Sequence, residues 1–435
     1  MRDKLQLAVF LIALLFIGYM YGAFSATLRW FPYEHVREAT VGVAAGIRLI
    51  ALEFTDRRSP SYWRPVGDKG SGVIVKDEAR MSPGATLYGS SETFGADLIA
   101  ADGTVLYSWR PALEDIWNGT APYRAPTAID RAICRKPILL DDGSLICVIH
   151  LKDTHTPYGG GMIKMDKDGK VLWRYFKNSH HDAKLMDDGA IITLNHTLED
   201  AAHPAFPDIG PPYLTDQIAI VGPDGKERME LPLMDALVGT GFEWTLYPQP
   251  DDGLGDVMHA NSIHVVDAAA GASLSYADEG DYLVSFRTTS TVVLIDKDTG
   301  KAKWAVRGPF KAQHDAEFLD NGDLLMFDNR GPALAGGKSR VLELAADGSG
   351  LAWEWHGSAD DPLDSDVKAA QQRLPNGNTL ITEAMGGRLF EVTKAGDVVW
   401  HYVNPVQEDG MIASVQQALR IPPQHPFVAG LVAAQ

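Results

Sequence analysis

Four side chains that could do chemistry stand at matching positions of one repeated pattern: His181, His259, Arg287 and His314. His181 and His314 each lie eight residues before a turn glycine, Gly189 and Gly322, as Arg135 does before Gly143. His259 heads the equivalent segment of a copy whose turn is lengthened over 267–279. Arg287 lies seven residues after Gly280, just as His150, His196 and Asn329 follow Gly143, Gly189 and Gly322. In a hairpin the start of one strand and the end of its partner share an edge, so both sets open on one face. Three imidazoles with a guanidinium suit a tetrahedral oxyanion such as sulfate or phosphate, because arginine offers a planar donor fork. A neutral imidazole can be the nucleophile while its neighbours offset charge on the transferred group's oxygens. The same three imidazoles could instead hold zinc for a hydrolase, a use that the adjacent guanidinium opposes electrostatically.

A lone histidine at a strand end is more often a hydrogen-bonded loop residue than a catalyst. These residues stand out because they converge from three consecutive repeats. The remaining slots hold Ala369, Ala384, Ser414 and Ser91, so any reactive ring is half-sided. Asp182 and Asp315 follow their histidines directly, and strand alternation is expected to turn them away from the channel.

The pattern that positions these side chains is a hairpin with an Asp-Gly or Asn-Gly turn, seen in "RKPILLDDGSLICVIH", "HDAKLMDDGAIITLNH", "QHDAEFLDNGDLLMFDN" and "AAQQRLPNGNTLITEA". Such dipeptides between apolar runs are a strong short-range hairpin signal. A second hairpin follows each copy, usually ending in tryptophan, as in "MIKMDKDGKVLWRY" and "VVLIDKDTGKAKWAV". Six second hairpins can be counted, five with a complete first hairpin before them. The missing inner strand of the earliest unit has its counterpart in "SVQQALRIPP" (414–423), near the far end of the chain. An all-β, six-bladed β-propeller closed by exchange of a C-terminal strand is therefore expected over 71–425, with a tail over 426–435.

Ahead of it, Leu5 to Phe24 carries no charge and approaches the length of a bilayer span. Arg2 and Lys4 precede it, which favours a cytoplasmic N-terminus and an exported body. The expectation is an N-terminal transmembrane helix over 1–26, a partly helical stalk over 27–70, and a single-pass inner-membrane protein with its propeller in the periplasm. The 435 residues include 39 basic and 57 acidic side chains, for a net charge of −18. An anionic body without a basic cluster argues against nucleic-acid binding. Cys134 and Cys147 fall on facing strands, and a bridge and two buried thiols are equally compatible with their spacing.

The run "DVMHANSIHVVD…YLVSFRTTSTVVLIDKDTGKAKWAVRG…QHDAEFLDNGDLLMFDN" resembles the bacterial arylsulfotransferases, the PAPS-independent aryl-sulfate sulfotransferases, over roughly residues 130 to 405. The resemblance implies a six-bladed propeller, no cofactor or metal, and small-molecule partners: an aryl sulfate donor and a phenolic acceptor. His314 would become sulfated, while His181, His259 and Arg287 bind the sulfuryl oxygens with Asn261 assisting. Arg135, His196 and Asn329 are further candidates for substrate binding from their slots. Either His181 or His259 could take the acceptor's proton. The short segment before the first blade leaves no room for the additional N-terminal β-domain of the soluble periplasmic enzymes. The competing reading is a non-enzymatic propeller scaffold, since "DKDTGKAKW" is also similar to PQQ-type repeats.

Overall fold

The computed structural model describes residues 2–28, 31, 62–117, 119, 131–152, 159–248, 255–331 and 338–433. They fall into two compact units. The first comprises 1–57 with 251–253, and the second comprises 58–250 with 254–435. Within the first, a helix runs Arg2–Leu28 and leaves large apolar side chains such as Leu15 and Phe16 exposed. Among the described residues no helix is long and apolar enough to cross a membrane, so the structure does not support the expected transmembrane span.

The second unit is a propeller-like array of antiparallel sheets. Its first sheet holds Ala85–Tyr88, Ala96–Ile99 and Val105–Trp109, and its inner edge is Leu419–Ile421 from the far end of the chain. The second holds Ala132–Leu139, Leu145–Leu151, Gly159–Met165 and Val171–Tyr175. The third holds Ser179–Leu185, Ile191–Glu199, Tyr213–Val221 and Glu227–Pro232. The fourth is Ala260–Val265, Tyr282–Phe286, Thr291–Ile295 and Ala302–Val306; the fifth is His314–Phe318, Leu324–Asp328, Arg340–Leu344 and Leu351–Trp355. The sixth runs Ala370–Arg373, Thr379–Glu383, Arg388–Val392 and Val398–Val403, and Gly72–Lys76 adds a fifth strand at its outer edge. The exchanged strand thus lies where the sequence placed it.

Two expected boundaries change. Most of the stalk expected over 27–70 lies outside the described residues, but Trp63–Pro65 is a strand paired with Met411–Ala413. The supposed tail contains a helix, Pro426–Ala433. Its Phe427 packs edge-on against Tyr107, and Val428 is buried in the cluster that includes Trp109.

Side chains from facing sheets bury one another, and the central strands of each sheet, such as Tyr282–Phe286 and Thr291–Ile295, are accordingly buried and mostly apolar. Four of the recurrent tryptophans have a second use, donating the indole N–H to a carbonyl of the following sheet. Trp109 reaches Gly143 O at 2.9 Å, Trp173 reaches Pro223 O at 3.0 Å and Trp353 reaches Lys394 O at 3.0 Å. Trp400 of the sixth sheet reaches Ala101 O of the first at 2.8 Å. The same seam carries a Tyr88–Tyr402 hydroxyl bond at 2.9 Å and a bond from Arg420 N to Gln372 Oε1 at 2.7 Å. Cys134 and Cys147 form a disulfide, which decides between the two states the sequence left open.

A fully buried indole that spans the seam should matter to stability. Trp400→Phe strands the Ala101 carbonyl and should cost about 1–3 kcal/mol in urea unfolding. Trp400→Ala should cost about 3–5 kcal/mol through the added cavity.

Candidate functional site

The residues singled out by register meet through a local departure from regular strand pairing. In the second to fifth sheets the innermost hairpin is bulged beside the predicted slot. Arg135 is the extra residue between Cys134 and Lys136, and the register breaks across His181 and Asp182. Asn261 is the extra residue between Ala260 and Ser262, and the break in the fifth sheet falls between His314 and Glu317. The innermost pair of the sixth sheet, headed by Ala369, has no such break. A bulge bends its strand and re-aims side chains. His181 (φ +57°), His259 (φ +50°) and Asp315 (φ +53°) accordingly occupy the left-handed region, which side chains other than glycine seldom adopt.

The bulges also correct one expectation. Asp182 and Asp315 do not turn away. They line the same small cavity, about 10 Å³, as Arg135, His181, Asn261 and His314, because an inserted residue breaks the two-residue alternation. They are not imidazole partners, as expected. Asp182 is 3.1 Å from Lys136 Nζ and accepts from Ile263 N, while Asp315 accepts from Gln371 N and Gln417 Nε2.

His314 is held in one tautomer. Its Nδ1 lies 2.6 Å from Asn329 Oδ1 and 3.2 Å from Ala312 O. The amide orientation of Asn329 is itself fixed, since its Nδ2 donates to Ser365 O at 2.7 Å and to Lys368 O at 2.6 Å. Two oxygen acceptors on Nδ1 require the proton there, which leaves a lone pair on Nε2. Asn329, expected to bind substrate, instead spends its polar atoms on the orientation of His314. Burial, and then the charges of Arg287 and Arg135, hold His314 well below the usual histidine range, so the ring is neutral.

The other imidazoles gather around it. The ring centroids of His181 and His314 are 6.4 Å apart, and those of His181 and His259 are 4.8 Å apart. His259 Nδ1 lies 2.5 Å from Asp256 Oδ2. Burial would raise Asp256, but the charge of His259 lowers it. Arg287 donates its backbone N–H to His259 O, and its charge is felt at both His314 and Asp256. Arg135 donates to Gln416 Oε1 at 3.1 Å, and burial pulls its guanidinium down to about 10. Asn261 donates to Gln313 O at 2.7 Å.

Two slot residues lie apart from this cluster. His150 Nε2 shares a 2.9 Å hydrogen bond with the Tyr62 hydroxyl, and His196 stacks on His180 with centroids 4.5 Å apart. Sequence reasoning missed His180, Asp216 and Asp256. The doubled histidine of "SHHDA" and the Asp-x-x-His spacing of "DVMH" were the available signals. The zinc reading is not supported by the geometry. Among the described residues, the groups whose donor atoms lie within 4.8 Å of one another are His180–His196–Asp216 and Asp278–Asp281–Asp296, not the three imidazoles proposed for zinc.

The family model for arylsulfotransferase (ASST) matches residues 136–405. The chain belongs to the arylsulfotransferase family. The match contains His181, His259, Arg287 and His314, stops one residue short of Arg135, and leaves out the closing strand. No curated protein matches this arylsulfotransferase chain significantly. Among solved structures, a protein of unknown function from Bacteroides caccae aligns with a TM-score of 0.48 and 17% identity, over 78% of this chain and 100% of that one. Virginiamycin B lyase from Staphylococcus aureus gives 0.35 and 13%, over 61% and 68%. Citrobacter koseri AztD gives 0.37 and 8%, over 78% and 98%. Likenesses this distant carry no argument about function.

Histidines held low in the native state, four of them at the predicted slots, set a pH dependence. His150, His181, His196 and His314 are all held low, chiefly by burial. Below a pH of about 6.5 the unfolded chain takes up protons at these positions and the native state does not, so stability falls as pH falls. His196→Phe keeps a ring against His180 and removes one such site. Its unfolding free energy should decline between pH 6.5 and 5 less steeply than the wild type's, by about 1.4 kcal/mol per pH unit. Parallel denaturant titrations would check this.

Proposed function

We propose that this chain is an aryl-sulfate sulfotransferase that works through a sulfohistidine at His314. The family supplies sulfotransferase-type function. The observation that carries the finer reading is the fixed tautomer of His314, whose Nε2 lone pair is left free by Asn329 Oδ1 and Ala312 O. In the first step Nε2 attacks sulfur, an N–S bond forms, the S–O bond to the aryl group breaks, and a phenolate departs. In the second step an acceptor phenol loses its proton to a base, its oxygen bonds to sulfur, and the N–S bond breaks. Arg287, Arg135 and His259 offer positive charge or N–H donors to the sulfuryl oxygens as charge shifts between the entering and leaving groups. Asn261 lines the same cavity and would act as an accessory contact.

The six sheets are read as the six blades of one closed propeller, with the tryptophan bonds as its joints. An exported location in the periplasm, with the N-terminal segment holding the protein to the inner membrane, is part of the same proposal. It draws on the charge-free N-terminal run and on the disulfide, since such bonds persist chiefly in oxidising compartments.

Mass spectrometry after incubation with p-nitrophenyl sulfate should find one added sulfuryl group on the peptide that carries His314. His314→Ala should abolish both the adduct and turnover with phenol. An unmodified His314 peptide, or full turnover in that variant, would sink the reading.

A further inference from the structure

One bond recurs between the outer edges of neighbouring sheets. The third residue of an outermost strand donates to a carbonyl of the next sheet's outer turn, two residues before the turn glycine. Tyr107 reaches Lys167 O at 2.9 Å, Trp173 reaches Pro223 O at 3.0 Å, Trp353 reaches Lys394 O at 3.0 Å and Trp400 reaches Ala101 O at 2.8 Å. The third sheet has Met229 in the donor position, a side chain with no proton to give. The fourth sheet has Trp304, and the fifth offers Ala346 two residues before Gly348. Both halves of the joint are present there, yet it is not made. Among the described residues, neither Trp304 Nε1 nor Ala346 O takes part in a hydrogen bond.

The lengthened turn over 267–279 accounts for the difference. It begins with the helix Ala268–Ser273 and reaches across to the fifth sheet, where Ser273 Oγ donates to Asp320 O at 2.8 Å and Leu274 packs on the Gly322 turn. Tyr276 then lies flat on Trp304, with ring centroids 5.0 Å apart and planes 7° from parallel. Phe318 is 5.7 Å from the same indole. These three rings, together with Ala346 and Asp347, line an open cleft of about 460 Å³. Small-molecule pockets span about 300–1,000 Å³. Gly322 and Gly348 also line the cleft, so it lies at the turn end of the hairpins, opposite the end where His314 starts its strand.

We propose that this cleft is a second small-molecule site, separate from the cluster around His314, and that it takes a neutral phenol. The sulfohistidine reading is not needed for it. Three features select the ligand. The aromatic walls favour a planar ring, which gains from offset or edge-on contacts with them. The indole N–H lacks an acceptor and the Ala346 carbonyl lacks a donor, and one hydroxyl supplies both. Asp347 adds a carboxylate to the same cleft, in a chain of net charge −18. A phenolate or a sulfate ester is repelled there, whereas an uncharged hydroxyl is not. A bound phenol thus completes, through its own oxygen, the joint that four other seams make directly.

The probes are p-cresol, toluene (the same molecule without its hydroxyl) and p-tolyl sulfate. Each is titrated into the full chain carrying His314→Ala, so that nothing turns over, with nitrogen-15 NMR of the Trp304 indole and the Ala346 amide as the readout. p-Cresol should move both signals saturably with one dissociation constant, and leave the indoles of Trp173, Trp353 and Trp400 in place. Toluene should bind about two- to ten-fold more weakly, the weight of one net hydrogen bond. p-Tolyl sulfate should bind at least about ten-fold more weakly, through repulsion by Asp347. Trp304→Phe keeps an aromatic wall and removes the donor. Read at the Ala346 amide, it should weaken p-cresol about two- to ten-fold and leave toluene almost unchanged. Signals that stay in place up to the solubility limit of p-cresol would overturn the site. So would toluene bound as tightly as p-cresol, or a preference for p-tolyl sulfate. Should Trp304→Phe fail to fold, the comparison of the three probes decides alone. The readout is binding rather than turnover, so an empty cleft leaves the sulfohistidine reading standing, and an inactive enzyme leaves the cleft to be judged on its own.

Discussion

A β-strand has only two faces, and in this fold both are committed to neighbouring sheets. Side chains that alternate strictly would leave nothing to aim at the small cavity where the innermost hairpins begin. The site therefore depends on the break in register at the head of the innermost hairpins in the second to fifth sheets, where Arg135, His181, Asn261 and the residues beside His314 fall. The left-handed backbone of His181, His259 and Asp315 costs of order 1–3 kcal/mol at each position. The surrounding sheets, buried and cross-bonded, hold it in place. Where the sixth sheet offers only Ala369, its inner pairing runs on without a break.

The second constraint is charge. A chain of net charge −18 that handles an anion must concentrate its cations locally. Lys136 is buried against Asp182, and half-buried Lys184 lies near Asp315. A buried pair of this kind is costly to break, because removal of one member strands the other. Arg135, by contrast, is bonded to an uncharged partner, Gln416, so its positive charge is not cancelled within that pair. The imidazoles add N–H groups without adding net charge, since burial keeps His181 and His314 neutral.

Much of this was legible in the sequence because it obeys local rules. Asp-Gly and Asn-Gly turns mark the hairpins, and register from their glycines, with His259 at the head of the equivalent strand, groups His181, His259 and His314. The exchanged strand was legible for the same reason. Local rules failed where the structure itself departs from them. Asp182 and Asp315 were mis-aimed because a bulge has no reliable signature in a single strand. Asn329 was assigned to substrate because nothing local shows that Ser365 and Lys368 claim its amide. Asp216 was invisible because it belongs to a third strand and meets His180 only across the sheet. The helix at Pro426–Ala433 was passed over as tail because its anchors, Tyr107 and Trp109, lie three hundred residues earlier.

The closing strand has a consequence for how the protein comes into being. Arg135 is tethered to Gln416, and Asp315 to Gln417, both in the segment that leads into Leu419–Ile421. A ribosome makes Arg135, His181, His259 and His314 well before it reaches that segment. Until residue 417 has emerged and docked, the nascent chain holds a complete set of histidines around an unfinished floor. The segment that supplies the inner strand of the first sheet thus also supplies the tethers of Arg135 and Asp315, and a prematurely terminated chain would lack both.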